Sequence, residues 1–367
     1  MEEQKTTTVT GTFACTNCGA DLTYKPGSTH LNCTYCGTDN HIPEIKEVIK
    51  EFDFHQYIED HQEDIHTHSI HVVNCGSCGA TTSLEPNVTG ASCAYCASPL
   101  VADQVHKESI IEPKSLLPFK LNKEEALAAF KKWVDQLWFA PNKLKKATLN
   151  FDHFKGVYIP YWTFDANTFS KYVGQRGDYY YVTESYTTTE NGKTVSKTRQ
   201  VRRTRWSYAS GDVDHFFDDV LTVATKSLSQ QHIYQLEPWD LENLIPFDKK
   251  YLSGFITEKY QVDLEDGFSI AKGKMGQKIE DMVRLQIGGD TQRILSVESD
   301  YRQIKFKHLL LPVYVSAYRF NNKLFRFLVN GRTGEVQGER PWSWIKISLA
   351  VLTGITIAGI LYFISQS

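Results

Sequence analysis

The sequence predicts a multi-part chain: two small β-rich four-cysteine ribbons, an α+β domain rich in antiparallel strands, and one C-terminal transmembrane helix. Three observations carry this prediction. All eight cysteines fall into two quartets of identical spacing, Tyr-, Thr- and Val-rich stretches fill the middle, and an apolar run lies near the end of the 367 residues. The boundaries read from these features are a first ribbon over 1–41, a polar His-rich linker over 42–71 and a second ribbon over 72–103. An aromatic-rich α+β domain then covers 104–340, and the anchor 341–367.

The first quartet, CTNCGADLTYKPGSTHLNCTYCG, supplies Cys15, Cys18, Cys33 and Cys36. The second, CGSCGATTSLEPNVTGASCAYCA, supplies Cys75, Cys78, Cys93 and Cys96. Two C-x2-C pairs joined by a loop are the ligand pattern of structural zinc, so each quartet is read as one four-cysteine Zn2+ site. Four thiolates complete a tetrahedron and leave no open position, which excludes a catalytic metal. A sixty-residue shift superimposes the modules beyond their ligands, setting Phe13 on Val73, Gly19-Ala20 on Gly79-Ala80, Pro26 on Pro86 and Tyr35 on Tyr95. Gly19, Gly37 and Gly79 stand where each tight turn calls for positive φ. LTYKPGSTHLN predicts two short strands around a Pro-Gly turn. Modules this small cannot bury a sufficient core, so metal supplies folding free energy, on the order of 10 kcal/mol or more per site. Disulfides do not fit a chain whose first residues, MEEQKTTT, lack a secretory h-region. A redox C-x2-C site calls for one pair beside a βαβ unit, not four pairs in two matched sets.

Between the quartets a short helix is expected near 44–54. His55, His61, His66, His68 and His71 follow without regular ligand spacing, and both quartets are complete without them. The larger domain begins near Ile110. LLPF leads to Asn122, a good N-cap, and to KEEALAAFKKWVDQLWFA, where Leu127, Phe130, Val134, Leu137 and Trp138 share a face and Pro141 ends the helix. FKGVYIPYWTFDANTFSKYVG reads as strand. GDYYYVTESYTTTENGKTVSKTRQVRRTRWSYASG reads as a hairpin turning at Asn191-Gly192, its second arm made basic by Arg199, Arg202, Arg203 and Arg205. A helix is expected through VDLEDGFSIAKGKMGQKIEDMVRLQI, then a strand LLLPVYVSAYRF and a turn at Asn321-Asn322. LIPF at 244–247 echoes LLPF, and Pro312 echoes Pro160 in its apolar strand. Duplication of an α+β half and chance recurrence of a strand proline both fit.

Residues 345–364, IKISLAVLTGITIAGILYFI, are long enough as a helix to cross the roughly 30 Å hydrocarbon core. Eleven Leu, Ile, Val or Phe side chains favour insertion by roughly 3 to 6 kcal/mol. Trp342 and Trp344 mark one interface. Arg332, Arg340 and Lys346 precede the core of the span, which by the positive-inside rule places the N-terminal bulk in the cytoplasm of a single-pass cell-membrane protein. Ala350, Gly354 and Ala358 form a small-residue stripe on which another helix could pack.

The paired CGA…YCG ribbons, YIPYWTFDA, and LLPVYVSAY…FLVNGRTGEVQGERPWSW before an apolar segment resemble the YdjG-like family of bacterial membrane proteins. Such proteins carry labels of transcription factor IIB-type zinc ribbon or of relationship to the primosomal superfamily II helicase. The resemblance implies a membrane-anchored accessory working near flotillin-like and phage-shock-protein-A-like partners.

The helicase label fails on chemistry. The chain's one GKT, Gly192-Lys193-Thr194, has Thr187 where a phosphate loop needs its first glycine, and no helix is expected after it. The residues point to a non-enzymatic scaffold whose ribbons bind protein partners. Nucleic-acid tethering is the alternative, but net charge is −3 and no Lys or Arg lies between Cys75 and Cys96, whereas phosphate binding needs cations. Asp165, Asp218 and Asp219 are isolated carboxylates available to a weaker enzymatic reading.

Overall fold

The computed structural model describes residues 13–45, 47–60, 68–83, 90–96, 98–101, 105–141, 154–190, 193–320 and 323–366. His61, His66 and the turns at Asn191-Gly192 and Asn321-Asn322 lie outside them. The first ribbon is a three-stranded antiparallel sheet of β1 (Leu22–Tyr24), β2 (His30–Cys33) and β3 (Asp39–His41). β4 (Phe52–Asp53) then leads into α1 (Phe54–Asp60). The helix expected at 44–54 thus begins only at Phe54, where the Asp53 carboxylate accepts the Gln56 N–H at 2.9 Å and caps the first turn.

The second ribbon comprises β5 (His68–Asn74), β6 (Thr81–Ser83), β7 (Gly90–Ser92), β8 (Pro99–Val101) and β9 (Val105–Ile110). β5 pairs with β6 and β9, so this sheet extends from His68 to Ile110, past the 72–103 expected.

β10 (Ser115–Leu116) precedes α2 (Lys123–Gln136), which opens on a capping box between Asn122 and Glu125. Its inner face is Ala126, Phe130 and Val134. The helix stops at Gln136, before Pro141, and Trp138 turns outward at 83% exposure instead of joining that face. β11 (Lys155–Glu190), β12 (Lys193–Val223) and β15 (Thr291–Phe320) are the long central strands. Between β12 and β15 come α3 (Gln230–Tyr234), β13 (Ile245–Pro246), β14 (Ile256–Thr257) and α4 (Leu264–Ile287). β16 (Lys323–Asn330), β17 (Val336–Gly338) and α5 (Trp344–Gln366) complete the chain.

β11 runs antiparallel to both β12 and β15, and Ile159 faces Leu311 near the start of β11 in its ladder with β15. Tyr158 lies opposite Pro312 and Pro160 opposite Leu310, so the two prolines occupy matched positions about the Ile159–Leu311 pair. β10 runs parallel to β15 and β14 parallel to β11. The segment that matches LLPF is therefore Ile256-Thr257, seven residues before the Asp263 N-cap, as Ser115 is seven before Asn122. LIPF pairs with LLPF through Leu116 and Ile245 and is not its counterpart.

The first third of β11 is buried on both faces. Val157, Ile159 and Tyr161 pack with Leu309, Leu311 and Val313 against the second ribbon. On the opposite face Tyr158, Leu310 and Tyr314 meet the first ribbon and α2, while Trp162 and Phe164 meet α4. Both ribbons are thus walls of the body and not free modules. The small core each lacks alone is completed by the sheet.

Candidate metal centres

Each C-x2-C pair sits on the same knuckle. Gly19 N–H donates to Cys15 O at 2.9 Å and Cys15 N–H to Ala20 O at 2.8 Å, and the same pair of bonds recurs at Cys33 and Cys75. Gly19, Gly37 and Gly79 hold φ of 74°, 74° and 76°, as the turn requires. Backbone N–H groups aim at sulfur, with Asn17 donating to Cys15 Sγ at 3.4 Å and Tyr95 to Cys93 Sγ at 3.4 Å.

The eight sequence-predicted ligands come together as two clusters, each with its four Sγ atoms within 4.8 Å of one another. Cys15–Cys36 and Cys18–Cys33 lie 3.7 and 3.5 Å apart, and Cys75–Cys96 and Cys78–Cys93 lie 3.5 and 3.6 Å apart. A zinc–sulfur bond of about 2.3 Å implies a tetrahedral edge of about 3.8 Å, so these residues fit a zinc ion closely. The distances are far too long for S–S bonds. Thr38, through its hydroxyl and backbone, holds the Cys36 thiol down to about 5, in the range of a ready thiolate. Around the first centre, Asn40 accepts from the Thr16 N–H at 3.1 Å and hydroxyl at 2.8 Å, and its amide approaches Cys15 Sγ at 3.8 Å.

The centres differ in what covers them. In the second, Tyr95 sits between Cys93 and Cys96, fully buried, and its hydroxyl donates to Glu258 Oε2 at 2.6 Å. Thr225 donates to Glu258 Oε1 at 2.7 Å, and the Ser227 hydroxyl joins it. Burial pushes the Glu258 carboxyl up to about 7, against the pull of the three hydroxyls. Arg326 donates to Tyr95 O at 3.2 Å, and Gln261 to Gly79 O at 3.1 Å. In the first ribbon, docking runs instead through the hairpin. Tyr24 N–H donates to Ser253 O at 2.9 Å, Ser253 Oγ to Leu22 O at 2.5 Å, and Gly27 N–H to Phe119 O at 2.9 Å. Its knuckle is left open: Cys18 and Cys36 are exposed, and Tyr35, the repeat partner of Tyr95, is 84% exposed. The sequence repeat exposed the Tyr35–Tyr95 equivalence but gave no sign of Glu258, which lies far along the chain.

Other residues singled out by sequence have structural settings. Asp165 and Asp219 come together, the Asp219 N–H donating to Asp165 Oδ1 at 2.8 Å, and Lys307 bridges Asp219 and Glu51 at 2.6 and 3.2 Å. Asp218 lines the same cleft. Burial, with the nearby Glu51 charge, raises Asp165 to about 6. Arg332 is bound by Asp240 at 2.5 Å and donates to Pro118 O at 3.1 Å, so its charge is paired within the body. α5 is apolar all round and long enough to cross a membrane, with none of its apolar window buried; Ala350, Gly354 and Ala358 lie exposed along it.

These features define a class: a β-rich α+β body walled by two four-cysteine clusters that could each hold a metal ion, with a long apolar helix at its C-terminal end. Compared with known proteins, the chain is similar to YdjG of Bacillus subtilis (strain 168), described as an uncharacterized protein, at 26% identity over 346 residues. The match covers 92% of each chain, the similarity of distant homologues. No family model and no solved structure matches.

Proposed function

We propose that the chain is a membrane-anchored cytoplasmic zinc-ribbon scaffold that binds protein partners at the membrane and performs no chemistry itself. The observation that carries this reading is the difference between the two knuckles. Tyr95 is buried inside the molecule, whereas Tyr35 stands open, and the other residues between the paired cysteines of its ribbon, Thr16, Asn17 and Thr34, are exposed and uncharged. A rigid, uncharged, aromatic knuckle suits a protein surface and offers phosphate little. Arg340 and Lys346 on the N-terminal side of the span, and thiolates that need a reducing compartment, support the cytoplasmic placement. The family resemblance suggests flotillin-like or phage-shock-protein-A-like membrane-stress components as partners, and the Ala350–Gly354–Ala358 stripe is available for helix packing within the bilayer.

One observation favours the second reading, a tethered nucleic-acid binder. On the β11–β12 ribbon Arg202 stacks on Tyr179 at 4.2 Å, and Arg205 and Arg199 lie over Tyr180 and Tyr186 at 5.6 Å. Glu184 already pairs with Arg203 and Arg199, which lowers the charge available to phosphate. The deciding experiment is capture of the full chain from membranes with Tyr35→Ala. Loss of specific partners with both zinc ions retained supports the scaffold. Unchanged partners, with salt-sensitive DNA binding lost on replacing Arg199, Arg202 and Arg205, sinks it in favour of nucleic acid.

A further inference from the structure

Trp138 stands apart from the tryptophans packed in the body. Trp162 is fully buried and donates its indole N–H to Val262 O at 2.9 Å, Trp239 is 8% exposed, and Trp206 lies under Arg293 at 4.0 Å. Trp138 is 83% exposed, and the neighbouring Phe139 is 39% exposed. Their outward direction is fixed by the turn that follows α2. Leu137 and Ala140 are buried against Trp133, and Ala140 N–H donates to Leu137 O at 3.2 Å, so the two residues between them point away from the body.

That turn is joined to the foot of α5. The Ser343 N–H donates to Phe139 O at 2.7 Å, and Lys346 Nζ to Ala140 O at 2.8 Å. Residues 138–140 therefore stand level with the first turn of the apolar helix. Trp342 and Trp344 stand there too, 52% and 78% exposed, with Arg340 over the Trp342 ring at 4.6 Å. Indole rings favour the zone between water and hydrocarbon, where an apolar body and a polar N–H are both accommodated.

We propose that the 138–140 turn is a second membrane-contact site, in which Trp138 and Phe139 seat among lipid headgroups beside the span. The proposal rests on the reading of α5 as membrane-spanning and adds to it. The body is then held to the bilayer at two points, one crossing and one peripheral, and its tilt is fixed. The occupant is lipid and not a protein, because the turn is continuous with the foot of the span and shares its aromatic composition.

The test uses the full chain reconstituted in phosphatidylcholine–phosphatidylglycerol vesicles, with and without lipids brominated near the headgroup end of the acyl chains. Trp138→Phe replaces an exposed indole by a smaller ring, so the fold is retained, and the emission lost relative to wild type reports Trp138 alone. The expected result is that brominated lipid quenches the larger part of that difference emission, which is blue-shifted, while both proteins float with the vesicles and resist alkaline extraction. Difference emission open to aqueous acrylamide and untouched by brominated lipid, in protein that floats, overturns the second contact while leaving the span intact. Emission shielded from both quenchers also overturns it, in favour of a protein cover. Failure to float overturns the span itself, and this site with it.

Discussion

Replacing Tyr95 by Phe deletes one oxygen from the contact that fastens the second ribbon to the sheet. Glu258 is 2% exposed, so Oε2 is then left buried without its donor, while Thr225 and Ser227 still hold Oε1. A hydrogen bond to a charged group contributes about 1.5–3 kcal/mol. Because burial lifts Glu258 to about 7 and it carries partial charge near neutrality, about 2 kcal/mol is the expected cost. That corresponds to a roughly thirtyfold rise in the population of the undocked ribbon. The assay is chelator-driven zinc release from the full chain in detergent, where release tracks the open population when reclosing is fast. One of two release phases should accelerate by that factor, and the other should not move. Tyr35→Phe, the same change at the repeat-equivalent position, should alter neither phase. Equal responses to the two substitutions, or none to Tyr95→Phe, would refute the inequality of the two knuckles.

Metal analysis of protein purified without chelator should return two zinc ions per chain; less than one would sink the two-centre assignment. Gly267→Ala on α4 should destabilise despite the helix propensity of alanine, because its Cβ would lie 2.7 Å from the ring of fully buried Trp162. We expect a loss of about 1–3 kcal/mol in denaturant titration, and a gain would show that α4 can move away from the sheet. Asp165 binds its proton more tightly folded than unfolded, so its contribution is complete at acid pH and lost as pH rises from about 4 through about 6. Asp165→Asn should therefore match wild type near pH 4 and exceed it by about 2 kcal/mol at neutral pH, after allowance for solvent access. A constant difference across that pH range would assign the charge elsewhere.

Legibility in the sequence followed the range of the interactions. The quartets could be read because C-x2-C spacing encodes a knuckle within five residues, and α2 because its capping box and inner face are local. The helix expected at 44–54 starts only at Phe54, where the Asp53 side chain caps the first turn of α1. Trp138 was assigned to the core by extending a period through a helix that ends two residues before it. LIPF matched LLPF in letters, while its true spatial relation, one strand paired with the other, depends on a register no local pattern specifies. The docking of both ribbons lay beyond reach for the same reason. Tyr35 and Tyr95 read alike, and only contacts as distant as Tyr95 with Glu258 separate them.

The matched register about Ile159 and Leu311 bears on how the chain comes to be folded. The short strand β10 pairs with β15 and the short strand β14 with β11, so each lies beside a long strand distant in sequence. At Ile159 and Leu311 the β11–β15 ladder joins positions 152 residues apart, and the loop-closure entropy must be met before such contacts form. Until β15 arrives, β11 offers an unpaired edge along one of the most apolar runs in the body, Val157 to Trp162. Assembly therefore turns on one late strand. A lesion in β15 should reach the cell as aggregation of newly made chains rather than as a softened native state.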